Sequence, residues 1–103
     1  MAGCDKSDRK NPKQKTVLDG PHLLEAAVKA HKTGDIKVAE KLYLKAIDSG
    51  FHHEIAFSNL GVIYKNTNRK DDAIKIYARA IAIKPKFADA HANLGNLLRD
   101  QGQ

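Results

Sequence analysis

Apolar residues recur at helical spacing in successive stretches of this chain, and turns carrying Gly or Asn separate them. Leu23, Ala26, Ala27 and Ala30 stand at i, i+3, i+4 and i+7, one stripe of a helix, which predicts an element from Pro21 or His22 to His31. Thr33-Gly34-Asp35 reads as a turn: Gly34 can take the left-handed conformation that ends one helix, and Asp35 is a reasonable N-cap for the next. A second helix, about Ile36 to Asp48, would bury Ala39, Tyr43, Ala46 and Ile47 before Ser49-Gly50 closes it. Phe57, Leu60, Gly61 and Tyr64 stripe a third, about Glu54 to Lys65, followed by the turn Asn66-Thr67-Asn68. Ala73, Tyr77, Ala80 and Ile81 stripe a fourth, about Lys70 to Ile83, which Pro85 stops. A fifth begins near Phe87 or Ala88, carries Leu94, Gly95 and Leu98, and reaches Gly102. No stretch alternates with period two, so the expected class is all-α.

The stripes are copies of one another. A shift of 34 residues carries Asn59-Leu60-Gly61 onto Asn93-Leu94-Gly95, Tyr43 onto Tyr77, Ala46 onto Ala80 and Ile47 onto Ile81. A fixed period of this length marks a solenoid of stacked helix pairs, in which each unit buries its apolar face only against its neighbours. Solenoids present a surface instead of a pocket, so the expected function is binding and not catalysis.

The central unit reads Phe57-x-x-Leu60-Gly61-x-x-Tyr64, then Ala73-x-x-x-Tyr77-x-x-Ala80, then Pro85. This pattern resembles the tetratricopeptide repeat (TPR) family. The resemblance covers about Gly20 to Gln103 and implies a right-handed α-solenoid of antiparallel helix pairs, about 2.5 units in five helices. It divides the chain into a flexible basic and polar tail at residues 1–19, a first repeat at 20–53, a second at 54–87, and the first helix of a third at 88–103. Gly61 and Ala73 are expected where paired helices approach closest, with Tyr64 and Tyr77 filling the wider gaps. The outer units depart from the pattern. Ala26-Ala27 stands for Leu-Gly and Phe51 for Pro in the first; His91 and Leu98 replace the aromatics in the third, where Leu94 and Gly95 are kept. The third segment reads as an ordinary internal repeat, which favours the front of a longer array over a complete five-helix domain. Its Leu97/Leu98 region is then expected to be exposed and to promote self-association.

In this family the first helix of each pair lines a concave groove. The resemblance places Asn59, Asn93, Asn96, Ser58 and Asn66 there as polar candidates for holding a peptide, with His31, Lys65 and Arg99 as a basic rail. Asn59 and Asn93 are similar to the asparagine ladder of repeats attached to O-linked N-acetylglucosamine transferases. A primary amide donates and accepts together, so it can pair with a peptide unit whatever the side chain. The alternative use of such an amide is a hydrogen bond within the repeat stack. The carboxylate clamp of chaperone adaptors is absent: Leu24, Val28, Asn59, Asp89 and Asn93 occupy its positions, and only Asn59 fits.

Composition adds partners and exclusions. The formal net charge of +6 suits an acidic partner, whether peptide, nucleic acid or anionic membrane surface, or else simply solvates the outer helix faces. Nucleic-acid binding is disfavoured, because the groove positions lack aromatics that could stack on bases. No apolar run approaches the ~18 residues that span a bilayer, and the N-terminal MAGCDKSDRK has neither a signal-peptide core nor a glycine second residue. A cytoplasmic protein with no membrane partner is expected. Cys4 is the single cysteine, and the histidines, adjacent His52 and His53 included, show no His-x-x-x-His spacing. Neither a metal, a cofactor nor a catalytic residue is expected in this segment. Two further readings stay open: the substrate-recruiting front of a larger TPR-containing enzyme such as a glycosyltransferase, and nucleic-acid binding through the basic charge.

Overall fold

The computed structural model describes residues 19–102, so the expected tail, apart from Asp19, lies outside the described residues. Five α-helices follow in order: α1 (Gly20–Lys32), α2 (Ile36–Asp48), α3 (Glu54–Asn66), α4 (Lys70–Ile83) and α5 (Ala88–Gln101). Each packs on the next, and α3 also touches α5, as a stack of helix pairs requires. The fold is all-α, and the helices match the stripes in the sequence.

The turns show why the chain reverses where it does. Gly34 (φ 86°) and Asn68 (φ 63°) both take the left-handed conformation, one full repeat apart. Around them the capping chemistry recurs. Thr33 Oγ1 donates to the carbonyl of Ala30 at 3.0 Å, and Thr67 Oγ1 to that of Ile63 at 2.7 Å. The N–H of Asp35 reaches the Ala30 carbonyl, and that of Arg69 the Tyr64 carbonyl, closing carbonyls the helix leaves open. Gly102 departs from this plan, at φ −72°.

The helix starts differ from expectation. Asp35 makes no side-chain capping bond, because its ψ of 73° departs from the extended backbone that aims a cap carboxylate at the first turn. Asp19 has that extended backbone (ψ 172°), and its Oδ1 accepts from the His22 N–H at 3.0 Å, capping α1. This bond lowers the Asp19 pKa from its ordinary value. His53 caps α3 through Nδ1, which accepts from the Ile55 N–H at 3.1 Å. His52 and His53 thus precede a helix and do not lie on one.

One core runs through the stack, with Tyr43, Tyr77, Phe57, Ile47, Leu60 and Leu97 as its largest fully buried side chains. Gly61 lies beneath Tyr77: a Cβ built there would come within 2.6 Å of Tyr77 Cε1 and closer still to Cζ and the hydroxyl. The close approach at Gly61 is therefore to a ring, which lies over the glycine instead of beside it. Leu97 is 2 % exposed, as is Ile63 one repeat earlier, whereas Leu98 is 50 % exposed. The expectation that Leu97 and Leu98 are exposed together fails, because adjacent helical residues project about 100° apart and only one can face the preceding pair.

Candidate functional site

The candidate side chains begin in the core. Tyr43, on α2, is fully buried as a residue, and its ring sits in the α1–α2–α3 junction. A buried phenol hydroxyl needs a partner. Tyr43 has two: the Asn59 amide Nδ2 donates to its oxygen at 2.9 Å, and His31 Nδ1 lies 3.1 Å from it. The His31 ring meets Tyr43 edge-on at 5.8 Å between centroids. Burial pushes the Tyr43 pKa above its ordinary value, partly offset by the Asn59 bond. α1, α2 and α3 are thereby tied through one oxygen atom.

Of the two uses that the sequence left open for Asn59, the arrangement shows the hydrogen bond within the stack. The amide bonds within the stack, yet it is only half-buried, and its carbonyl oxygen and second N–H have no partner among the described residues. Asn93, one repeat on, is half-buried and makes no side-chain hydrogen bond among the described residues. Asn96 is exposed and accepts from Arg99 through Oδ1. Lys65 and Asn66 are exposed at the end of α3, and Ser58 is half-buried. Of the three basic residues, His31 lies against Tyr43 and is half-buried, while Lys65 and Arg99 are exposed at the ends of α3 and α5.

Around the Tyr43 hydroxyl, Val28, His31, Lys32 and Asn59 enclose an open hollow of about 280 Å³. It adjoins a larger one of about 460 Å³ along α1, lined by Pro21, Leu24, Val28 and Phe51 with a charged rim. The sequence pattern marks Tyr43 only as core, and Leu24 and Val28 only as positions where a clamp motif fails. The signal for Tyr43 was available: a tyrosine inside an otherwise apolar stripe carries a hydroxyl that must go somewhere. Among the described residues, no cluster of His, Cys, Asp and Glu could hold a metal ion, and no helix is long and apolar enough to cross a membrane.

Comparison with known proteins fits this geometry. A TPR-repeat family model matches residues 61–102. The chain is 35 % identical over 70 residues to the Protein O-mannosyl-transferase TMTC1 of Homo sapiens, covering 68 % of this chain and 8 % of that protein. It is 37 % identical over 49 residues to the peroxisomal targeting signal receptor of Kluyveromyces lactis, covering 48 % of this chain and 9 % of that one. The matched stretches thus span less than a tenth of either relative. With the 34-residue period, the ring seated on Gly61 and five helices packed in series, these matches identify the chain as a member of the tetratricopeptide repeat family.

Proposed function

We propose that this chain is a protein-interaction scaffold that holds an extended segment of a partner protein against the groove faces of α1, α3 and α5. The observation that carries this reading is the half-buried Asn59 amide, pinned by Tyr43 with an acceptor and a donor left over. A pinned amide loses little further freedom when it pairs with a peptide unit, which favours binding. Asn93 repeats the group one unit along and extends the ladder. The basic balance of the chain, +6 overall, favours an acidic partner. Catalysis would lie outside this segment, and the compartment that suits the reading is the cytoplasm.

The test is a peptide-library pull-down with the full chain, compared with Asn59→Ala plus Asn93→Ala. The double variant is expected to lose most of the captured peptides while keeping its helix content. Unchanged capture would overturn the ladder.

A second reading is favoured by the likeness to an O-mannosyl-transferase. On it, the same groove recruits protein substrate for a transferase domain in the same polypeptide. Nucleic-acid binding is disfavoured, because Phe57, Tyr43, Tyr64, Tyr77 and Phe87 are buried and half-buried Phe51 alone cannot stack successive bases. Self-association is favoured by one feature of α5, where Leu98 stands open beside an uncovered Gly95.

A further inference from the structure

We infer that the groove face of α1 takes a bulky apolar side chain flanked by acidic residues, so that the partner segment carries a short hydrophobic–acidic motif. This rests on the peptide-scaffold reading above and adds the chemistry of the ligand to it. The two hollows along α1 share Val28 and Lys32, so one chain passing over Val28 reaches both. The hollows differ in character. Pro21, Leu24, Val28 and Phe51 make the first an apolar seat. Tyr43 and Asn59 make the second a hydrogen-bonding one.

The seat exists because of the helical stripe. α1 buries Leu23 and Ala27, and Leu24 and Val28 follow each by one position, about 100° further round the helix. They are only half-buried, and Phe51 closes the hollow from the segment that follows α2. At about 460 Å³ the hollow has room for a leucine or phenylalanine side chain, in the size range of ordinary ligand sites.

The rim selects the flanking charge. Lys29 and Lys32 line it against a single Glu25, and neither lysine has an ion-pair partner among the described residues. A carboxylate on the partner would gain those ammonium groups, whereas a lysine there would meet uncompensated like charge. In the adjoining hollow, the free carbonyl and N–H of Asn59 can take up one peptide unit of the same segment. The apolar seat and the lysines of α1 thus adjoin the Asn59 amide of α3 across the shared Val28 and Lys32.

Fluorescence anisotropy with the full chain tests this, using labelled octapeptides that carry one Phe in an Asp/Ser background. The controls are the same peptide with Phe replaced by Ala, and a Lys/Ser background that keeps Phe. The Phe-acidic probe is expected to bind about tenfold more tightly than either control, a difference that anchor and charge can each supply. Leu24→Ser and Lys32→Glu are each expected to weaken it about tenfold, with unchanged helix content by circular dichroism. Equal affinity for the Asp/Ser and Lys/Ser probes would overturn the inference, as would an unaffected Leu24→Ser variant. If the probe responds to Asn59→Ala and not to Leu24→Ser, the motif falls and the scaffold reading stands. A chain that binds no probe overturns the motif, and the scaffold reading then stands or falls by the library pull-down. Tighter binding after deletion of residues 1–18 would make that segment the occupant and overturn the partner motif.

Discussion

At Gly61 the space of a missing side chain is filled by the Tyr77 ring, while Gly95, one repeat later, has nothing within 4 Å of where its Cβ would be. The two glycines share a motif and a helix position, so they separate packing from backbone propensity. Gly61→Ala is expected to cost about 1–3 kcal/mol, because the fully buried ring must move within a packed core. Gly95→Ala is expected to stabilise by up to about 1 kcal/mol, since glycine in a helix interior is otherwise a liability. Urea unfolding of the pair checks both, and equal effects would contradict the ring-over-glycine packing. Sequence pattern identified Gly61 as a place where nothing larger fits. It did not reveal that the obstruction is a ring, because the facing side chain's rotamer is set by three-dimensional packing. The same holds for Tyr43, whose period marked it as buried while its hydroxyl turned out to be the hub of α1, α2 and α3. Tyr43→Phe leaves the Asn59 amide without its acceptor and is expected to cost about 1 kcal/mol. It should also lower affinity for any peptide that Asn59 holds. A variant as stable and as active as the parent would show that the bond organises nothing.

Between elements, charge and burial set how the stack responds to pH. Arg69, which precedes α4, reaches Glu40 on α2 through two bonds of 2.9 and 2.6 Å and covers the Tyr64 ring at 4.9 Å. The Arg69 hydrogen bond holds the Glu40 carboxyl below its ordinary pKa despite some opposing desolvation. This link stabilises the fold above the ordinary glutamate pKa and is lost as pH falls through the lowered one. Glu40→Gln is therefore expected to lower stability modestly at neutral pH and to converge on the parent as pH falls, flattening the acid limb, measured as denaturation midpoint against pH. At the alkaline end the sign reverses. Burial raises the pKa values of Tyr43, Tyr64 and Tyr77 above the ordinary 10.0. Their contribution is complete below that value and falls away as pH rises toward the raised ones, because the unfolded chain ionises first. Phenolate absorbance and helix loss are expected to rise together, and tyrosines that titrate in a folded chain would contradict this. Element positions were the most legible feature of the sequence, because stripe, turn and proline all mark the same boundaries. The observed ends differ by at most a residue or two, as at α1, which starts at Gly20 and extends to Lys32. Cap identity was less legible, since it turns on the ψ of a single residue: Asp35 has the right side chain on the wrong backbone.

At the scale of the molecule, the repeat states what each face should meet, and α5 has one face that meets nothing among the described residues. In the second unit, Phe57, Leu60, Gly61 and Tyr64 are all buried, and Tyr77 of α4 lies over Gly61. The same positions in α5 are His91, Leu94, Gly95 and Leu98, of which Leu94 is half-buried and the others are exposed. Leu97, which faces back into the stack, is as buried as its counterpart Ile63, so the open side is confined to the pairing face. An apolar helix face lacking a partner gains free energy by covering itself, and a second copy offers the same Leu-Gly surface for a two-fold contact. Sedimentation equilibrium is expected to show an apparent mass that rises with protein concentration. Leu98→Lys is expected to return the chain to monomer, because a charge there would be buried in the contact but rests in solvent when alone. Since Leu98 touches little of the core, helix content and melting temperature should be unaffected, which separates loss of association from loss of fold. A parent chain that stays monomeric across the accessible concentrations would remove self-association from the functions of α5.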